Sequence, residues 1–540
     1  MQTRRAPLIL VSKSSLLIGL LCSLVICASP QPSPPWEQLR LQGIAACDHG
    51  EYKRSEQLLT QALESAQTGL APQPDLADIW SELASTYQAI GRYGEAEALN
   101  RRALDVRQKT FGAGSAKAAV SLNNLGTVLW LQGRSREGEP LVRQAVAIWR
   151  NSKSEDAELM KGLSNLAGIY RSEARRSEAI PLYEQALSLS GRADIQAGAA
   201  VAGVLNNLAR AYSEDGNFAT AEQLANRALD IQEKASGRDS AIVAVILMTL
   251  GDIRTDKGNY QDAEPAYLRA LSIHNVTLGP LHPQIAIDLN NLALLSSRLG
   301  RNDEAQDLYE RSLSITEKTR GKDNATYAAT LNNLAQIELD RGKWKQAIGH
   351  YNTAIAIWQK AFGPDHPNVA SGLANLAGAY KSRRRFDRAD ALFREALEID
   401  TKRLGRDDPK TALDLNNLAS VCVSRRRYDE AESMFLEALA IDNRKLGSMH
   451  PKTALVATNL GALYAREKRY GEAENFYRQA VTTLEKSWGP DNPKLSGSME
   501  GLISALRNNR KFPEAEQWEV RATRIRVKTA LHDNASLSFR

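Results

Sequence analysis

This sequence predicts an all-α solenoid, a right-handed superhelix of about twelve helix–turn–helix units. Three observations predict it. A leucine in a near-constant tripeptide recurs every 42 residues, at Leu83, Leu125, Leu166, Leu208, Leu250, Leu292, Leu334, Leu376, Leu418, Leu460 and Leu502, with a single step of 41. Each period holds two stretches with helical spacing of apolar residues. Each stretch also has its own start and stop residues.

The chain opens on a segment unlike the rest. Arg4 and Arg5 precede a 13-residue apolar run, residues 16–28, which is the length of a signal-peptide core and short for a membrane span. Pro30, Pro32, Pro34 and Pro35 then stop a helix from continuing. Residues 1–29 are therefore expected to be a signal peptide or N-terminal anchor, and 30–35 a Pro-rich linker. Residues 36–528 are expected to form the array, and 529–540 a flexible tail. The expected location is exported: periplasm, cell envelope or secreted. Ala28 suits the residue before a cleavage site, but Ile26 is large two positions earlier, so cleavage and retention both stay open. Cys27 follows a lipoprotein-like run, yet Ile26 is bulky before it, and an ordinary apolar leader is the preferred reading.

Within a unit the first helix carries one apolar stripe, as in Leu289, Leu292, Ala293 and Ser296. The stripe recurs as Leu331, Leu334, Ala335 and Glu338, and as Leu415, Leu418, Ala419 and Cys422. A turn follows, built on Gly258, Gly300 or Gly342 in some units and on residues 383–385 or 425–427, all arginine, in others. The second helix opens on an aromatic residue and buries alanines, as in Tyr260, Ala263, Tyr267 and Ala270, which let helices approach closely. A degenerate first unit runs from about Trp36.

The boundary between units has its own chemistry. Gly279, Gly321, Gly363, Gly405, Gly447 and Gly489 stop the second helix. Three residues on stand His282, Asn324, His366, Asp408, His450 and Asn492, and proline follows five of the six. Such residues before a helix-opening proline read as N-caps. The repeated histidines invite a metal reading, but their equivalents in alternate units are Asn and Asp, and residues two units apart cannot share an ion. The cap reading explains all six, and no metal or cofactor is expected.

These residues resemble the tetratricopeptide repeat in its 42-residue, kinesin-light-chain-like form. The match lies in the LNNLA run at residues 289–293, 331–335 and 415–419, then G-x-Y/F-x-E-A-E, A-L-x-I and LGxxHP. It spans about residues 36–528 and implies a superhelix whose first helices line a concave groove. A leader stands where kinesin light chains carry a coiled coil, so motor-cargo function is not carried over. The resemblance to bacterial members with a signal peptide implies a scaffold.

The groove candidates are asparagines. About 100° per residue separates side chains on a helix. The residue before the motif leucine therefore points away from the apolar stripe: Asn124, Asn165, Asn207, Asn291, Asn333, Asn375, Asn417 and Asn459. The residue before that lies to the side: Asn123, Asn206, Asn290, Asn332 and Asn416. Asparagine is a poor mid-helix residue, worth about 0.5 kcal/mol less than alanine, so its recurrence asks for a reason. Two stay open: the amides grip the main chain of a bound peptide, or they tie neighbouring helices together.

Composition narrows the function. Of 540 residues 43% are hydrophobic and 24% charged, which is ordinary for folded protein. Net charge is +6, and +3 without Arg4, Arg5 and Lys13, too little over this length to suggest nucleic acid. No catalytic motif occurs; residues 112–117 resemble a phosphate loop only loosely and lack the glycine before Lys117. The expected function is non-enzymatic binding of a protein or extended peptide segment outside the cytoplasm. Membrane contact is expected only through an uncleaved N-terminal segment. The alternative is a structural envelope component that self-associates.

Overall fold

The computed structural model describes residues 34–48, 51–132, 134–152, 156–173, 175–190 and 198–537. The expected signal peptide or anchor, residues 1–29, with residues 30–33 of the expected linker and residues 538–540, lies outside them. Among the described residues are 24 α-helices and one short 3-10 segment, Pro493–Leu495, with no strand. The helices pair in sequence into twelve units, each with an A helix and an antiparallel B helix. Unit 1 is Pro35–Asp48 with Tyr52–Thr68, unit 7 is Pro283–Arg298 with Asn302–Arg320, and unit 12 is Ser496–Asn508 with Phe512–Leu537. No described helix is long and apolar enough to cross a membrane.

The A helix of each unit packs on its own B helix and on the B helix of the unit before. The motif leucines lie in that seam: Leu292, Leu334, Leu376, Leu418 and Leu460 are all buried, as are Ala293, Ala335, Ala377 and Ala419 beside the first four. A lone hairpin could not cover both faces, so the stacking of neighbours makes the core. Cys422 is part of it, fully buried. Burial pushes its thiol up to about 11.

Every predicted boundary cap is formed. The side chains of His282, Asn324, His366, Asp408, His450 and Asn492 each accept a hydrogen bond from the backbone N–H two residues on. The histidines use Nδ1 for this, at 3.1 Å in all three cases. That uses a metal-binding nitrogen for helix initiation. The stop glycines adopt positive φ, +79° at Gly321 and +96° at Gly405, for which the lack of a Cβ suits them. The last helix has no such stop, and its backbone runs to Leu537, past Thr529, where the sequence alone places the start of the tail. No Gly or Pro after Pro513 interrupts it.

Two further interactions join unit to unit. The second acid of the E-A-E motif reaches the basic residue that ends the next unit's turn: Glu97 with Arg134 at 3.0 Å, Glu264 with Arg301 at 2.6 Å, Glu432 with Arg469 at 3.2 Å and Glu474 with Lys511 at 2.8 Å. Deeper in, one position near the end of each B helix meets one position of the next A helix, and the pair differs from junction to junction. Trp149 fills the space above Gly162, and Trp358 that above Gly372. Arg107 donates to Ser121 at 2.7 Å. His274 Nδ1 lies 2.6 Å from Asp288 Oδ2, both buried. Asp400 stands opposite Asp414, both buried.

Candidate functional site

The A helices place the recurring asparagines on the inner side of the array, where they form rungs between units. Nδ2 of the second asparagine donates to Oδ1 of the first asparagine one unit earlier. Asn165 reaches Asn123 at 3.1 Å, Asn333 reaches Asn290 at 3.1 Å, Asn375 reaches Asn332 at 3.1 Å, and Asn459 reaches Asn416 at 2.8 Å. Within a unit the first amide donates to the second at longer range, 3.3 Å for Asn290 to Asn291 and 3.4 Å for Asn332 to Asn333 and for Asn123 to Asn124.

Where the sequence departs from the pattern, so does the rung. Asn207 meets Ser164 at 3.5 Å, because serine stands at the acceptor position. Asn291 meets Asp252 at 3.5 Å. For Asn417 the acceptor position one unit back is Ala374, which has no amide to offer. Asn123, Asn206 and Asn416 are buried, while Asn375 is exposed. Where the rung forms, the second asparagine therefore spends one N–H on its neighbour and, at Asn333, one lone pair of its oxygen on Asn332, which leaves its other N–H and the second lone pair for the groove.

The groove holds a cavity along units 6 to 9. This cavity, of about 580 Å3, is lined by Asn332, Asn333, Asn375, Gln336, Arg298 and Tyr260 among others. Next to it, toward unit 5, a second cavity of about 210 Å3 is lined by Arg210, Glu214, Asp252, Tyr267, Asn291 and Leu294. Tyr267 donates to Asp252 at 2.7 Å. Burial pushes the Asp252 carboxyl up, against the pull of that hydroxyl. The surface thus offers amides, two guanidinium groups, carboxylates and apolar patches, a mixture suited to a polypeptide. Among the described residues no group of three or more His, Cys, Asp or Glu could hold a metal ion.

Sequence reasoning locates the asparagines but passes over Leu294, Arg298 and Gln336. They stand two and six residues after the motif leucine, on the same face as the second asparagine. Their types change from unit to unit, so no repeat signal marks them; their spacing from the motif leucine is the one signal that could.

The tetratricopeptide repeat profile matches residues 75–151, 124–192, 158–234, 200–273, 242–318, 326–402 and 410–486. The chain belongs to the tetratricopeptide repeat family. A tetratricopeptide array is a scaffold that typically binds protein, and the matched spans contain every asparagine rung described above. Among solved structures the array is similar to BtubC (BKLC) from P. vanneervenii. Identity is 22% and the TM-score 0.36, over 43% of this chain and 91% of the other. It is also similar to a putative kinesin light chain of Podosopora anserina with nearly identical repeats, at 22% identity and TM-score 0.33, over 38% and 98%. A Rap protein complexed with competence and sporulation factor matches at 14% identity and TM-score 0.47, over 76% and 99%. No curated protein matches the chain.

Proposed function

We propose that the array binds one extended protein or peptide segment along the inner face of its A helices, without catalysing a reaction. The cavity beside Asn332, Asn333 and Asn375 carries this reading, because half-used amides recur there at unit spacing. Amides suit a main chain, which offers a donor and an acceptor at each residue whatever its side chains. Gln336, Arg298 and Leu294 would then select among side chains.

A selection of displayed random peptides on the immobilised full chain tests this. Peptides should be recovered whose binding is lost in Leu294→Asp and in Gln336→Ala while the melting temperature holds. Recovery of only those peptides that bind both variants as well as the parent would overturn the groove reading.

We also propose that the protein works outside the cytoplasm, on the strength of the 13-residue apolar run and the prolines after it. Fractionation of a tagged full chain should find it in an exported fraction. A wholly cytosolic, full-length pool would count against this.

A further inference from the structure

The rows of hairpins have two rims. The described A-to-B turns lie along one and the described unit-to-unit junctions along the other, because every unit points the same way. Among the described residues, the turn of one unit meets the junction between the fifth and sixth units after it in three places. At the turn of unit 5, His450 Nε2 donates to the carbonyl of Glu214 at 3.2 Å. At unit 6, Asn492 Nδ2 donates to the carbonyl of Lys257 at 2.8 Å, and the Lys494 ammonium to that of Asp256 at 3.1 Å. At unit 2, Gly91 lies beneath the Arg320 guanidinium, where an added Cβ would stand 3.6 Å from Nη2. His450 and Asn492 are N-caps that use one side-chain atom on their own helix and the other across the gap.

The residue types at the turn fit the same geometry. One position in each of the described turns is left-handed. It is glycine at Gly91, Gly216 and Gly258, and a Cβ at Gly216 would sit 2.8 Å from Pro451 Cδ, one at Gly258 3.0 Å from Asn492 Nδ2. In the last four units the same position is Arg384, Arg426, Lys468 and Arg510, with φ from +58° to +62° and exposed side chains. Glycine at Gly300 and Gly342 has nothing within reach of a Cβ. Among the described turns, the three that lie under another coil are side-chain-free at this position, and the four that bear a side chain there expose it to solvent.

We propose that successive coils of the superhelix latch rim to rim, closing the side of the inner groove, so that the groove is a channel entered through its ends by a single extended chain. The occupant in this statement rests on the function proposed above; the latch does not. Five to six A helices complete each coil. With helix axes about 8–10 Å apart and helices about 10 Å thick, the bore is on the order of 10 Å or less. An extended chain fits such a bore, and a helix 10–12 Å across does not.

The test needs no partner. In a background with Cys22, Cys27 and Cys47 replaced by serine, Leu294→Cys carries a short-armed biotin maleimide in the channel, and Leu436→Cys carries it on an exposed B helix. Streptavidin should capture the outer label and miss the inner one. Gly216→Arg with Gly258→Arg should then expose the inner label and raise the radius of gyration in X-ray scattering. The control Gly300→Arg with Gly342→Arg should change neither. Arginine already occupies this turn position in units 9 and 10, so the units can accept it. Lys494→Glu, which leaves both turns' backbones alone, is the second opening variant, and far-UV circular dichroism checks that helix content is kept. Equal capture of inner and outer labels in the parent would overturn the closed channel. Opening variants that keep their helix, their radius and a shielded label would overturn the latch. Either failure would leave the peptide selection standing, and failure of that selection would leave the latch standing.

Discussion

Adjacent junctions of this array solve one packing problem with opposite chemistry. Between units 8 and 9, Trp358 lies over Gly372 and donates to the Ala325 carbonyl at 3.2 Å. Between units 9 and 10, the corresponding positions are Asp400 and Asp414, two buried carboxyls. The backbone around them is the same. The repeat therefore fixes where two helices meet and how much volume they share, but leaves the chemistry of the contact to each junction. Volume is met by a large residue over none in one case, and by two small acids in the other. The acidic pair needs a proton, since two carboxylates cannot share so small a space without one.

The contrast can be broken at its apolar side first. Trp358→Ala should lose about 3–5 kcal/mol of stability, as for a buried aromatic whose space cannot collapse. Trp344→Ala, near the exposed start of the same helix, should cost far less. Urea denaturation of both variants compares them, and equal losses would remove the claim that junction volume is decisive.

The acidic side should show itself through pH. Burial pushes Asp414 up to about 8, with the charge of Asp400 beside it as the second cause, and burial also raises Asp400. An unfolded aspartate titrates near 3.9. The folded state thus holds its proton more tightly, so this pair's contribution is full below about pH 4 and is lost as pH rises through about 8. Asp414→Asn should raise the melting temperature at pH 8 by the equivalent of about 1–3 kcal/mol. Near pH 4 the gain should vanish. A gain of the same size at both pH values would contradict a shared proton.

Smaller effects sharpen the comparison at the rungs and caps, which recur along the array. Asn375→Ala should cost about 1 kcal/mol despite alanine's better helix propensity, because it leaves Asn332 without its neighbour. Asn417→Ala, which has Ala374 at the acceptor position, should be neutral or stabilising. Equal melting shifts for the two would deny that the rungs tie units together. His366→Ala should cost about 1 kcal/mol through the lost cap. Chelation by a metal-binding reagent should leave the parent's melting curve unchanged.

Much of this is legible in the sequence, and the boundary lies where interactions stop being local. The caps of His282, His366 and His450 are readable because donor and acceptor stand two residues apart. The asparagine positions are readable as a recurring face. Their two candidate roles are not separable there, because the partner amide lies 42 or 43 residues away and depends on how far one unit rotates against the next. The junction pairs are invisible for the same reason: His274 and Asp288 are 14 residues apart, each in a different unit, with no repeat to mark them. Contacts such as Asn492 with Lys257 sum small rotations over several units, and no sequence window holds them. The arginines at residues 383–385 and 425–427 stand out in the sequence as charge; what matters at Arg384 and Arg426 is also what does not lie above them.

The private junctions bear on how such a gene can change. Units of one 42-residue length can be lost or gained in frame, and a loss of residues 367–408 would join His366 to Pro409. Every local rule would survive: a cap, a helix-opening proline, an intact leucine stripe. Yet Trp358 would now face Asp414 in place of Gly372, an indole against a buried carboxyl with no room left for it. Copies that look interchangeable on paper are not interchangeable neighbours, so the order of the units is kept in register by their contacts.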